Sequence, residues 1–337
     1  MIQDTAIKEC ADMREITFSE ALGEAMYEEM TRNPTIFTYG EDIAKQGGIF
    51  GAYKPLLGKF SDRIIDTPIS EEVIFGSALG AALAGMRPVA EFHFADFIFT
   101  GMTAVTNQIM KIRYMTGGQA KLPLVLRGPD GISKSAAAQH SESIETIFMH
   151  VPGIKVIIPS TPYDMKGLFK TALRSDDPVI CFEHKLLYKM KGPVPEEEYY
   201  IPFGVADVKR KGKDVTVVTT SRMVHESLKA AEVLLKEDID VEVIDLRTLI
   251  PLDKKTVIDS VKKTHHLVVA HETWRKGGWG AEVASVVQEE AFDYLDAPIL
   301  RVGARNVHIP FSPPLQDFVV PDHKDVEKAV KKVLGEV

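Results

Sequence analysis

Residues 63–99 read RIIDTPISEEVIFGSALGAALAGMRPVAEFHFADFIF, and this stretch decides the fold. Its middle part, 73–86, predicts a helix of small residues, with Gly76, Ser77 and Gly80 allowing close approach of another backbone. The segment after it, RPVAEFHFADFIF, predicts an apolar strand running into a loop, so that strand follows helix as in an α/β layer. Upstream, EITFSEALGEAMYEEMTRNP spaces Phe18, Leu22, Ala25, Met26 and Met30 near helical intervals, and Asn33-Pro34 ends that amphipathic helix. IFTYG at 36–40 then reads as a short strand feeding a glycine-bearing loop, KQGGIFGAY, of the kind found at sheet edges. Downstream, LPLVLRGP, IKVIIPST, DMKGLFKTALRS and PVICFEH continue the alternation, which points to mainly parallel strands.

KMKGPVPEEEYYIPFG at 189–204 places prolines beside an acidic cluster and separates two regions of alternation, so the domain boundary belongs there. Beyond it, DVTVVTT, a helix over 223–235, VEVIDLRTLIP, HHLVVAHE, a helix over 281–292 and PILRVGA build a second, smaller α/β domain. The division is a first domain at 14–190, a linker at 191–205 and a second domain at 206–337. Residues 1–13 match neither a secretory signal nor an Arg-rich transit peptide and are expected to form a mobile extension.

A length of 337 residues gives ample material for two cores, and 45% hydrophobic with 26% charged residues is ordinary for a soluble globular chain. The 40 Lys and Arg residues against 48 Asp and Glu give a net charge of −8, without the basic footprint of a nucleic-acid binder. The two cysteines, Cys10 and Cys181, support neither a disulfide framework nor a zinc site and suit a reducing, cytoplasmic setting. No stretch is long and apolar enough to predict a membrane span.

The dinucleotide fingerprint, the Walker A loop, the nucleophile elbow and the His-Glu-x-x-His motif are all missing; KGGWGAEV has Val283 where a third glycine would stand. Glu71 and Glu72 follow Ser70 at a helix start, where Ser70 can cap and the carboxylates suit the positive end of the dipole. Alternatively, one carboxylate lies against Ile69, Ile74 and Phe75, where desolvation suits it to exchange a proton with a ligand nitrogen. His140, in the small-residue run GISKSAAAQHSES, is expected to be presented from a loop, as a site or a surface imidazole. His93, Phe92, Phe94, Phe97 and Phe99 are expected mostly in the core or its wall, in alternating sets on a strand. His265 and His266 read as structural or exposed, and His271-Glu272 ends a strand where α/β sheets often place binding groups.

Taken in order, the runs GED at 40–42, GAYK at 51–54, RIIDTPISE at 63–71, RPVAEFHFADFIF, LRGPDG at 126–131, AAQHS, IIPSTPYDMKGL, VIDLRTLIPLD and IPFSPP resemble one family from about Arg14 onward. That family is the beta subunit of the thiamine-diphosphate-dependent dehydrogenase component of 2-oxoacid and acetoin dehydrogenase complexes. The resemblance implies an α/β fold: a thiamine-diphosphate-binding pyrimidine domain followed by a transketolase C-terminal-like domain.

The resemblance further implies that Glu71 meets the ring nitrogen of the cofactor's aminopyrimidine. Protonation there favours the tautomer whose exocyclic nitrogen can deprotonate the thiazolium carbon. Phe97 lies at the family's position for an aromatic ring against the pyrimidine, and Glu41 counts among the cofactor-binding residues. His140 matches a histidine that orients the acyl or lipoyl group. Leu124, Ala172, Leu173, Ser175 and Asp177 match positions that hold a monovalent cation such as K+ in some relatives, with Ser175 where an aspartate is more usual.

The reaction so implied is decarboxylation of a 2-oxoacid, or cleavage of acetoin, followed by reductive acylation of a lipoyl arm. The motif for Mg2+ and diphosphate is absent from this chain and belongs to the family's alpha subunit. The resemblance therefore implies an alpha partner, a tetramer of two alpha and two beta chains, and docking on a lipoyl-bearing acyltransferase core. A split transketolase half would share the glutamate and fold, but the AAQHS loop and IPFSPP tail favour the dehydrogenase; a non-catalytic scaffold is disfavoured by the intact Glu71.

Overall fold

The computed structural model describes residues 13–336. The expected extension at 1–13 lies outside the described residues except for Met13, which begins a strand. The strands in chain order are β1 (Met13–Thr17), β2 (Ile36–Gly40), β3 (Ile64–Asp66), β4 (Arg87–Glu91), β5 (Val125–Asp130), β6 (Lys155–Ile157) and β7 (Val179–His184). They continue as β8 (Lys191–Pro195), β9 (Asp207–Arg210), β10 (Val215–Thr219), β11 (Val241–Asp245), β12 (Thr248–Ile250), β13 (Leu267–Trp274) and β14 (Leu300–Ala304).

The first sheet has the order β12-β6-β7-β5-β4-β2-β3, with every pair parallel except β12-β6. All residues of β5 and β7 are buried, as a parallel sheet covered on both faces requires of its central strands. The Phe18–Arg32 and Pro162–Arg174 helices pack together over one face, where Phe18, Leu22, Met26, Leu168 and Phe169 belong to one apolar cluster. The second sheet has the order β14-β13-β10-β11-β9, parallel except for β9. A further apolar cluster runs between the sheets and includes Phe92, Phe148, Ile244 and Trp279.

Three local readings of the sequence change. The first helix begins at Phe18, three residues into the run EITFSEALGEAMYEEMTRNP: Thr17 and Glu20 form a reciprocal capping box, and Met13–Thr17 pairs instead with Lys191–Pro195, within the stretch expected as linker. The apolar strand RPVAEFHFADFIF stops at Glu91, and Ala95–Gly101 is a 3-10 helix, so the aromatics do not alternate across a sheet. Phe92 is in the core, Phe94 and Phe97 are half-buried and Phe99 is exposed. VEVIDLRTLIP is not one strand either. Arg247 turns the chain with a positive φ of 60°, and β12 crosses to the first sheet's edge, tying the two halves together.

Candidate active site

The site forms at the carboxyl ends of β2 and β4, where open parallel sheets place ligands. Glu71 is the first residue of the Glu71–Leu83 helix and is only 7% exposed. Ile74 and Phe75 are buried beneath this turn, but Ile69 is 78% exposed, so it contributes nothing to an apolar wall around the carboxylate. Ser70 occupies the N-cap position without a side-chain capping bond. Glu72 faces solvent.

The Ala95–Gly101 turn lies directly on this helix. A methyl at Gly101 would run into the Phe75 ring and approach the Glu71 carbonyl carbon to 3.0 Å, so only glycine permits the contact. Thr100 Oγ1 stands 2.9 Å from Glu71 Oε2 and 2.8 Å from the Phe97 carbonyl oxygen, linking the two residues through one hydroxyl. The edge-on His140 ring lies 5.2 Å from Phe97 and 5.7 Å from Phe94. The structure thus brings Glu71, Phe97 and His140 into one neighbourhood, with His140 ending the Ala138–His140 turn.

Glu41 follows β2 and completes the cluster. Its Oε1 is buried without a hydrogen-bond partner, and burial pushes the carboxyl up, with His93 opposing and Glu71 adding to the rise. An unsatisfied buried acceptor beside a second carboxylate, which is itself linked through Thr100 to the half-buried Phe97, fits a flat, nitrogen-rich heterocycle. His93 pairs with Glu91, and burial pushes the imidazole down from its ordinary value, consistent with a wall histidine.

Beneath the site lies an ionic network that sequence reasoning missed. The Arg127 guanidinium is 2% exposed, donates to both Glu183 oxygens, to Glu91 and to Tyr53 Oη (2.8 Å), and is raised despite its burial by the Glu183 charge. The legible signal was a charged residue inside each of three apolar strands, β4, β5 and β7; Glu91 and Arg127 are register partners.

A second missed feature clamps both ends of the loop that carries His140. From the second domain, Glu272 Oε1 accepts from the Ile132 amide (2.7 Å) and His184 Nε2 (2.9 Å), while Oε2 accepts from Arg222 Nε (2.5 Å). At the other end Thr273 Oγ1 donates to the Ser143 carbonyl (2.7 Å), and Trp279 donates through Nε1 to Glu145 (3.1 Å). Gly131 has a φ of +70°, and a side chain there would collide with His184 and Glu272. His184 and Arg222 hold the Glu272 carboxyl well below the usual range against its burial, whereas burial pushes Glu145 up to about 7. His271 is buried, its Nδ1 donating to the Thr273 carbonyl (3.0 Å), and burial pushes it down to about 4. The His271-Glu272 end of β13 therefore grips protein.

The expected cation cage has protein partners in place. The Leu124 carbonyl accepts from Val179 N and that of Ala172 from Ser175 N, while Arg87 Nη1 reaches the carbonyls of Leu173 (3.3 Å) and Ser175 (2.9 Å). Lys155 Nζ sits 2.8 Å from Asp177 Oδ2, and the Asp177 carbonyl accepts from Ser175 Oγ. Arg87 and Lys155 thus bring two side-chain cations to this turn. Among the described residues, no group of three or more His, Cys, Asp or Glu side chains is placed to hold a metal ion. No described helix is long and apolar enough to cross a membrane.

Residues 14–191 match the pyrimidine binding domain of transketolase, and 204–326 match the transketolase C-terminal domain. The chain is 48% identical to the pyruvate dehydrogenase E1 component subunit beta of Rickettsia felis, over 95% of this chain and 98% of that one. It is 44% identical to the acetoin:2,6-dichlorophenolindophenol oxidoreductase subunit beta of Cupriavidus necator, with the same coverage. It is also 41% identical to the 2-oxoisovalerate dehydrogenase subunit beta of Bacillus subtilis, over 95% and 99%. Among solved structures, a split gene transketolase, described as an inactive beta4 tetramer, superposes with a TM-score of 0.79 at 26% identity, covering 95% of this chain and 98% of that one.

Proposed function

Because the chain belongs to the family of thiamine-diphosphate-dependent 2-oxoacid dehydrogenase E1 beta subunits, we propose that it contributes the pyrimidine half of an active site that decarboxylates a 2-oxoacid and acylates a lipoyl domain. The observation that carries this reading is the Glu71-Thr100-Phe97-His140 contact chain, with the unsatisfied Glu41 carboxyl close enough to Glu71 for their charges to interact. When bound, thiamine diphosphate supplies a carbon nucleophile and an electron sink for decarboxylation. Glu71 holds or moves a proton at the pyrimidine ring nitrogen, its carboxylate oriented by Thr100. Phe97 presents a face to the heterocycle, and Glu41 supplies an acceptor to its polar edge. His140, braced edge-on by Phe94 and Phe97, orients the acyl acceptor at the mouth of the site.

The site is half of a whole. Ile69, Val73 and Phe99, all exposed and apolar, rim the Glu71 region, as expected where a second chain covers the cofactor. We assign that cover to an alpha subunit carrying the Mg2+ and diphosphate ligands, in a tetramer of two alpha and two beta chains docked on a lipoyl-bearing acyltransferase core. The buried free thiol of Cys181 suits the cytoplasm. Coexpression with the alpha subunit, followed by assay of pyruvate, branched-chain 2-oxoacids, acetoin and a ketose phosphate with an artificial electron acceptor, tests the reading. Oxidation of one of the first three is expected; exclusive turnover of the ketose phosphate would overturn it in favour of a split transketolase.

A further inference from the structure

A concave cleft of about 470 Å³ opens on the second domain beside the edge strand β14, between the turn after β13 and the His323–Val333 helix. Six cationic side chains line it: Arg275, Lys276, Arg301, Arg305, Lys328 and Lys332. In a chain of net charge −8, none of these six forms a salt bridge with any described residue. Asp325 is the acidic residue in the lining, and its Oδ2 accepts from the Asp322 amide (3.1 Å) in a helix cap.

Two of the arginines are held in place without being used up. Arg301 Nη1 donates to the Arg275 carbonyl (3.0 Å), while Arg305 Nε donates to the Phe318 carbonyl (2.9 Å) and its guanidinium stacks 4.0 Å from the Phe318 ring centre. Each keeps further N–H donors, and the fixed backbone contacts remove much of the entropy that an arginine loses on binding. Leu300, Phe318 and Val319 add apolar surface to the same wall. Like charges gathered around a concavity repel one another, and an anion seated among them relieves that repulsion.

We propose that this cleft binds a phosphorylated small molecule of the nucleoside-diphosphate class, its phosphates taken by Arg301, Arg305, Lys328 and Lys332 and its base by the apolar wall. The volume lies in the range of small-molecule sites rather than of flat protein-docking faces. The site is built from second-domain residues alone and is separate from the Glu71 cluster.

Calorimetric titration of the full chain with ADP and with inorganic pyrophosphate, at fixed ionic strength, tests this. Saturable one-to-one binding is expected, with ADP tighter than pyrophosphate because only the nucleotide reaches the apolar wall; equal affinity would overturn the nucleoside assignment. Lys328 and Lys332 are exposed, so Lys328→Glu with Lys332→Glu should keep the melting temperature and weaken ADP by about tenfold or more. Arg301→Ala, checked for folding by circular dichroism, should weaken both ligands. Absence of saturable binding, unchanged affinity in the double charge reversal, or displacement of ADP by a more tightly bound polyglutamate peptide would overturn the proposal.

Discussion

Replacing Glu272 by glutamine removes one charge from the contact between the domains while nearly preserving shape. The carboxylate has three polar partners, Ile132 N at 2.7 Å, His184 Nε2 at 2.9 Å and Arg222 Nε at 2.5 Å, and all four groups are shielded from water. Glutamine can still accept from Ile132, but it leaves Arg222 with the Pro321 carbonyl (2.8 Å) and a Glu226 oxygen at 3.6 Å. Removing one member of a buried ion pair typically costs roughly 3–5 kcal/mol, and the remaining Arg222 contacts place this case at about 3 kcal/mol. Glu272→Ala also abandons the Ile132 amide and should cost about 1–2 kcal/mol more. Urea unfolding of the full chain measures both values. Amide hydrogen exchange across 131–146 should quicken in both variants, and more in the alanine, because the loop carrying His140 loses its anchor. A glutamine variant within about 1 kcal/mol of the parent, with unchanged exchange in that loop, would refute the clamp.

Glu71→Gln in the assembled enzyme should leave folding intact and abolish most activity at saturating cofactor, because an amide cannot exchange the required proton, while Glu72→Gln should be mild; equal losses would contradict the assignment. His140→Ala should impair transfer to a lipoyl domain more than to an artificial dye, and parallel losses would remove its role in acyl transfer. Titration of thiamine diphosphate into the chain alone should show weak binding without 2-oxoacid turnover, both recovering on addition of the alpha subunit; tight magnesium-dependent binding by the lone chain would contradict a split site. Glu145, pushed up to about 7 by burial, binds its proton in the fold at pH values where the unfolded chain has lost it, so stability from this group falls as pH rises from about 4.5 to 7. Glu145→Gln keeps an acceptor for Trp279 Nε1 and should raise the free energy of unfolding more at pH 8 than at pH 5.5, by about 2 kcal/mol; no pH-dependent difference would contradict this.

The α/β alternation, the place of the main helices and the candidacy of Glu71, Phe97 and His140 are legible in the order of residues. Apolar periodicity and ordered family motifs are local properties, and they survive without knowledge of contacts. The helix over Glu71–Leu83 is an example: its run of small and apolar residues specifies it wherever it packs. Sequence could not decide which residues meet across distance. The Arg127 network joins residues from three parallel strands, and the Glu272 clamp joins positions 140 residues apart, so neither has a local pattern. Even RPVAEFHFADFIF, apolar enough to be a strand throughout, turns at Glu91 because the Ala95–Gly101 helix packs on the first turn of the Glu71–Leu83 helix, with Gly101 admitting the contact. That Arg87 and Lys155 reach the turn around Leu173, Ser175 and Asp177 is likewise decided in three dimensions, since carbonyl oxygens carry no mark in sequence of the donors that reach them.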